Sequence, residues 1–293
     1  MKGTRWVLLL VVSLAILGGG FFYFLGAVVT VVGKPEKGNV AVVEILGGIY
    51  DPKPVVEQLE SLRKDGEIKA IVLRIDSPGG SVGAAQEIYE MVRELRGVKP
   101  VVTSMGTVAA SGGYYVAAPS QRIVANPGTL TGSIGVRMEL MNIEELLQWA
   151  RLKPQTLKSG LLKDVGSPTR PMTPEERDYL QAILKTLHEQ FKQAVAESRG
   201  LKPEEVERIA DGRVLTGAEA REMKLVDEIG GLSRAIKIAG ELAGIRGEPE
   251  FFFSKPERRP WEYLMEGFAE SLSNRLLTAW SSPWAVSLSL RGP

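Results

Sequence analysis

Residues 107–113 read Thr-Val-Ala-Ala-Ser-Gly-Gly, in a chain that holds one histidine, His188, and no cysteine. A serine among small residues at a helix start has the form of a nucleophile. Serine hydroxyls attack carbonyls poorly unless a neighbouring base takes the proton, and a general base contributes about 10²–10⁴ in rate. With imidazole so scarce, lysine is the leading base. His188 falls inside a long helical pattern beside Leu184 and Leu187, where a boundary or surface role accounts for it better than catalysis. A Ser-His-Asp triad would have to use it. One histidine and no thiolate leave only carboxylates as metal ligands, and no clustered Asp/Glu motif occurs, so neither metal nor cofactor is expected.

A second small-residue turn, Asp76-Ser77-Pro78-Gly79-Gly80-Ser81, follows an apolar run and opens a helix. Pro78-Gly79 suits the centre of a type II turn, where glycine accepts positive φ. Gly80 leaves its amide unshielded, and an amide there could bind the negative oxygen that forms when a carbonyl is attacked. A tight strand-to-helix turn with no chemistry would look the same. Ser111-Gly112-Gly113 occupies the same topological position one unit later. Ligands in parallel sheets sit beyond the carboxyl ends of the strands, so the two turns could converge on one site, with Ser111 as nucleophile and the Gly80 and Gly112 amides as oxyanion donors. Close helix packing beside Ala109 and Ala110 explains Ser111 equally well on local sequence alone.

The elements that must position these turns follow from periodicity. Val40 to Ile45, Ala70 to Ile75 and Pro100 to Ser104 read as buried strands. Pro54 to Arg63 and Ala84 to Leu95 read as helices between them, the first with Val55, Val56, Leu59 and Leu62 on one side. Strands alternating with helices argue for an α/β fold with parallel pairing. Thr173-Pro174-Glu175-Glu176 combines an N-cap, a proline at the first helical position and a capping-box glutamate, opening a helix to about Arg199. Its face carries Leu180, Ile183, Leu184, Leu187, Phe191 and Val195. Thr216 with Glu219 marks another capped helix.

The 293 residues suffice for one or two domains. Lys and Arg number 36 against 35 Asp and Glu, without a basic block, so nucleic acid is not an expected partner. Trp6 to Val32 carries no charge. As a helix it would measure roughly 40 Å, enough to cross a hydrocarbon core of about 30 Å with tilt. A cleaved signal peptide is the rival, but its apolar core runs only about 7–15 residues. Lys2 and Arg5 before the span favour a cytoplasmic N-terminus and an extracytoplasmic body. The expected organisation is a cytoplasmic N-terminus over 1–5, a transmembrane helix over 6–32, a linker over 33–39, a catalytic domain over 40–248, a linker over 249–260 and a C-terminal amphipathic helix and tail over 261–293. Trp261, Leu264, Met265, Phe268, Leu272, Leu276 and Trp280 lie at helical spacing in that last segment. The stripe suits packing on the domain or a neighbouring subunit, or a membrane surface.

Asp76-Ser77-Pro78-Gly79-Gly80, Ala110 to Tyr115, Thr131 to Val136, Lys158-Ser159-Gly160 with Lys163-Asp164 and Ser167-Pro168, and Gly212 to Gly217 through Gly231 occur in one order. Together they resemble the signal peptide peptidase A family over roughly Val40 to Gly244. The resemblance implies a Clp protease/crotonase-like α/β fold of ββα units and a serine-lysine dyad. It implies Ser111 as nucleophile, Lys163 as general base and Ser133 as the hydroxyl that holds the lysine amine. Lys158 is the rival base, and the spacing Lys-x-x-x-Ser-Pro from Lys163 to Pro168 favours Lys163. A lysine base must be neutral near operating pH although its free pKa is about 10.4, so the fold must bury it. A drop of about three units corresponds to roughly 4 kcal/mol. In short single-repeat members of the family, serine and lysine come from adjacent protomers of a ring-like homo-oligomer, and one copy of each motif here matches that form. The implied activity is a membrane-anchored serine endopeptidase that degrades remnant signal peptides and other hydrophobic or unfolded peptides. Two alternatives are a stomatin-operon type of membrane protease with a dedicated substrate, and a non-catalytic anchored scaffold or acyl-CoA-binding relative of crotonase.

Overall fold

The computed structural model describes residues 38–255. The expected membrane span over 6–32 and the amphipathic helix from Trp261 lie outside the described residues. Three strands, β1 (Val40–Leu46), β2 (Ala70–Ser77) and β3 (Val101–Ala110), form the spine of the molecule. Their Val- and Ile-rich runs are buried on both faces, the pattern of a parallel sheet covered by helices on each side. β1 and β2 pair in parallel from Val40–Ala70 to Leu46–Asp76, and β2 and β3 pair in parallel from Ile71–Val101.

The crossovers between these strands are α1 (Lys53–Lys64) and α2 (Val82–Leu95). Helix α1 buries Leu59 and Leu62, and α2 buries Ile88, Val92 and Leu95 against Ala41, Val43, Ile45, Leu73 and Ile75. Side chains alternate across a strand, so Val40 and Val42 face the other way. They meet α8 (Leu232–Leu242) through Ala235, Ile236 and Ala239.

The remaining elements extend this frame. After β3 come α3 (Gly112–Ala117), β4 (Arg122–Ala125), β5 (Leu130–Gly132) and α4 (Glu144–Trp149). They are followed by α5 (Pro174–Arg199), α6 (Pro203–Glu207), β6 (Val214–Thr216), α7 (Gly217–Glu222) and β7 (Glu228–Ile229). The last strand is β8 (Phe251–Phe253), and the strand order is β6-β5-β3-β2-β1-β8, with β4 joining β3 to β7. Among the described residues, every strand pairing is parallel except β5 with β6. Both capping boxes expected from sequence are present, at Thr173–Glu176 and Thr216–Glu219.

Two expectations about element bounds are corrected. The third strand does not stop at Ser104 but runs on to Ala110 through a bulge. Between the pairs Ile75–Met105 and Ser77–Ala109, Asp76 alone faces Gly106, Thr107 and Val108. Its carboxylate accepts from the Thr107 and Val108 amides, each at 3.1 Å, and so replaces the missing ladder bonds. The expected linker over 249–260 begins instead with β8 (Phe251–Phe253), which pairs with the outer edge of β1.

Candidate active site

Strand β3 delivers Ser111 to the end of the sheet, and α3 starts at the next residue. Ser111 has φ 54° and ψ −123°, outside the ordinary regions for an L-residue. Such a conformation costs on the order of 1–3 kcal/mol and persists only where its surroundings enforce it. Enforcement comes from both sides. The Ser111 amide donates to the Gly132 carbonyl at 2.9 Å, and α3 is buried along its whole length. Tyr114 is fully buried and donates its hydroxyl to the Leu225 carbonyl at 3.0 Å. Tyr115 stacks against Phe191 of α5 with ring centroids 4.6 Å apart. Ser111 itself is half-buried at the open end of this packing.

The Gly79–Gly80 turn lies directly against the serine turn. Gly79 has φ +100°, as a type II turn requires, and a β-carbon there would sit 2.6 Å from the Gly112 nitrogen and 3.0 Å from Ser111 Cβ. A β-carbon on Gly112 would come within 3.2 Å of the Gly80 nitrogen, and one on Gly113 within 2.7 Å of the Ser77 carbonyl oxygen. Glycine at these positions lets two backbones touch where any side chain would hold them apart. Ser77 is fully buried and its Oγ accepts from the Gly79 amide at 3.1 Å, so this serine shapes the turn. Ile49 donates its amide to the Gly79 carbonyl at 2.9 Å and accepts from the Ser81 amide at 2.8 Å. The expected convergence of the two glycine turns is therefore present, and it places the Gly80 and Gly112 amides beside one serine.

Ser133 belongs to the same corner. Strand β5 pairs with β3 so that Ala110 is level with Gly132, which makes Ser111 and Ser133 the next residues at adjoining strand ends. Ser133 also has positive φ, 51°, and its amide donates to the Arg213 carbonyl at 2.8 Å. The hydroxyl of buried Thr131 donates to the Ala109 carbonyl at 2.7 Å and fixes the two strands just below.

The two candidate lysines differ in their surroundings. Lys158 Nζ donates to Asp164 Oδ1 at 2.6 Å and to the Leu161 carbonyl at 3.1 Å. Asp164 is also gripped by Arg170, and hydrogen bonds from Arg170 first and Lys158 second hold its carboxyl well below the usual carboxylate range. Lys163 sits in a turn closed by its amide to the Gly160 carbonyl at 3.1 Å, and its side chain is exposed. It joins no ion pair among the described residues, nor does the single chain bond it to Ser111 or Ser133. Ser111, Gly80, Gly112 and Ser133 are thus brought together within one chain, and Lys163 is not. The segment that carries it exposes Met141, Trp149, Leu157 and Leu161 at 75%, 82%, 99% and 81%. His188 is half-buried on α5 with its Nε2 buried and unpaired among the described residues.

Two residues escaped the sequence. Asp76 supports the bulge under the site, and its signal was its place between an apolar run and Ser-Pro-Gly-Gly. Arg170 joins Asp164 to Glu176 at the start of α5, and its signal was equal spacing, six residues from each.

The model of peptidase family S49 matches residues 93–246, which include the Ser111 and Ser133 corners and the lysine segment but not the Gly79–Gly80 turn. This chain belongs to peptidase family S49. That family places it among the serine peptidases. A Clp protease model also matches residues 43–129, in keeping with the parallel α/β core. A protein named as a protease in Methanocaldococcus jannaschii is 40% identical over 67% of this S49 chain and 63% of its own length. One so named in Synechocystis sp. is 40% identical over 71% of this chain and 75% of its own. The chloroplastic serine protease SPPA of Arabidopsis thaliana is 38% identical over 68% of this chain, which spans only 30% of that protein. Among the described residues, no helix is long and apolar enough to cross a membrane.

Proposed function

We propose that this S49 member is a membrane-anchored serine endopeptidase with a Ser111–Lys163 dyad, acting outside the cytoplasm on remnant signal peptides and other hydrophobic or unfolded segments. The observation that carries this is the strained Ser111 corner, with the Gly80 and Gly112 amides beside it. A tetrahedral oxyanion needs fixed donors at the place where its charge develops, and backbone amides held by glycine packing supply them without reorganisation.

In this mechanism Ser111 Oγ attacks the scissile carbonyl while the neutral Lys163 amine takes its proton. The Gly80 and Gly112 amides receive the oxyanion. Collapse of the tetrahedral intermediate breaks the C–N bond, and the leaving amine takes the proton from the Lys163 ammonium. Lys163 then removes a proton from water as the oxygen attacks the Ser111 ester, collapse breaks the acyl C–O bond, and the Lys163 ammonium returns the proton to Ser111 Oγ as the acid product leaves. Ser133 accepts a hydrogen bond from the lysine and aims it.

Lys163 is preferred to Lys158 as base because the Lys158 amine is already committed to Asp164. The exposure of Lys163 in one chain supports a site completed in a ring-like homo-oligomer, where a neighbouring copy buries the amine beside its own Ser111. That burial is what lowers a lysine pKa towards operating pH. The anchor is the uncharged run from Trp6 to Val32.

The test uses the full chain in phospholipid nanodiscs with a synthetic hydrophobic leader peptide, followed by mass spectrometry. Internal cleavage that disappears in Ser111→Ala is expected. Intact peptide after incubation with correctly assembled native protein would contradict the proposal.

A further inference from the structure

The charged cluster of Lys158, Asp164, Arg170 and Glu176 beside the lysine turn takes no step in the mechanism above, yet its members are closely tied together. Arg170 Nε donates to Asp164 Oδ2 at 3.0 Å, and its Nη2 lies 3.0 Å from Asp164 Oδ1. Its other face grips Glu176, with Nη1 to Oε2 at 2.8 Å and Nη2 to Oε1 at 2.5 Å, while Nη1 also donates to the Pro171 carbonyl at 3.0 Å. Lys158 completes the cluster through Asp164 at 2.6 Å. The side chains of Asp164 and Glu176 are only 13% and 6% exposed.

Glu176 is also the capping-box residue of α5, accepting from the Thr173 amide at 3.0 Å. Further along α5, Phe191 packs on Tyr115 of α3, the helix that begins beside Ser111. One guanidinium therefore links the turn containing Lys163 to the helix that supports the nucleophile's own helix. Bidentate arginine–carboxylate pairs fix orientation as well as distance, which a lysine in that place would not do.

The same geometry has an electrostatic consequence. Asp164 follows Lys163 directly in sequence. A free carboxylate within about 4–6 Å would stabilise the ammonium form and raise the lysine pKa by about 1–3 units, against the needs of a base. The charged groups facing Asp164 are Lys158 from the loop before it, Arg170 from the loop after it and, across Arg170, Glu176 from α5. Two cations and two carboxylates balance, so the acidic neighbour of Lys163 is already occupied.

We propose that Arg170 is a positioning residue for the peptidase: by fastening Asp164 to Glu176 it orients the Lys163 turn and denies Lys163 its adjacent carboxylate. The proposal rests on Lys163 being the general base.

The test measures kcat/KM against pH on the full assembled chain with a fluorogenic peptide. The acid limb of that profile reports deprotonation of the base in the free enzyme. In Arg170→Gln the limb moves to higher pH by about one unit or more, and adding Asp164→Asn brings it back. A uniform loss of activity with the limb unmoved would make Arg170 merely structural and overturn the proposal. Asp164→Asn alone covers the case in which Arg170→Gln fails to fold. Its limb stays at or below the native one, because the carboxylate it removes is already held and its loss leaves Lys158 and Arg170 against Glu176 alone, and an upward shift would overturn the proposal. Lys163→Ala separates the two layers. If that variant stays active the base assignment falls and takes this proposal with it, whereas an inactive Lys163→Ala with a static limb in Arg170→Gln sinks the Arg170 role alone.

Discussion

The Ser111 amide donates to the Gly132 carbonyl at 2.9 Å, and each of these residues has positive φ. This bond ties the last turn of β3 to the last turn of β5 and sets Ser111 and Ser133 at neighbouring strand ends. The serine corner is thus made by the sheet, while Lys163, the proposed base, lies on a surface segment.

Glycine at 79 is constrained twice over, by a close backbone and by positive φ. In Gly79→Ala the new methyl meets the Gly112 nitrogen at 2.6 Å, in a backbone conformation of φ +100° that disfavours any β-carbon. The turns must separate, and the Gly80 and Gly112 amides lose their common aim. Loss of one oxyanion donor costs about 10²–10³ in kcat. We expect kcat to fall by on the order of 10²-fold, with KM changed far less, in steady-state peptide hydrolysis.

Asp76 should matter for stability rather than for chemistry. Asp76→Asn leaves one carbonyl oxygen where two carboxylate oxygens now serve the Thr107 and Val108 amides. An unmade hydrogen bond of this kind costs about 1–3 kcal/mol. A lowered Tm in calorimetry is expected, together with residual labelling of Ser111 by an active-site probe below the melting range.

How much of this was legible in the sequence depended on the range of each interaction. Strands β1 to β3 and helices α1, α2 and α5 follow from apolar periodicity and two capping boxes, which are local signals. The convergence of the glycine turns followed from the rule that sites lie beyond parallel strand ends. The bulge at Gly106–Val108 did not, because it is closed by a side chain 31 residues away. Nor did β8, whose three phenylalanines are aligned by β1, some 200 residues earlier. The place of Lys163 relative to Ser111 is not written in local pattern at all, since one chain leaves that lysine on its surface.

Acid should weaken the lysine segment first. Asp164 is held well below its ordinary value by Arg170 and then Lys158, and Glu176 is brought down to about 2 by Arg170 and then the Thr173 amide. A depressed carboxylate contributes stability that is present above its unfolded pKa and is lost as pH falls through the folded one. The unfolded values are about 3.9 and 4.3. Protection of residues 158–176 in hydrogen exchange should therefore hold above about pH 4.5 and decline towards pH 2. Arg170→Gln should show reduced protection already at neutral pH.

Shared sites make a further prediction about mixtures. Ser111→Ala and Lys163→Ala chains are each inactive alone, but co-assembled at equal amounts they should recover about a quarter of native activity, because random pairing joins an intact serine to an intact lysine that often. No recovery in verified mixed oligomers would place both groups in one chain.

The most direct measurement is covalent labelling of the assembled full chain by a fluorophosphonate probe, with the modified peptide mapped by mass spectrometry. Label is expected on Ser111, absent from Ser111→Ala and Lys163→Ala, and retained in Lys158→Ala and His188→Gln. Undiminished labelling of Lys163→Ala would show that another group activates the serine, and the dyad would have to be abandoned.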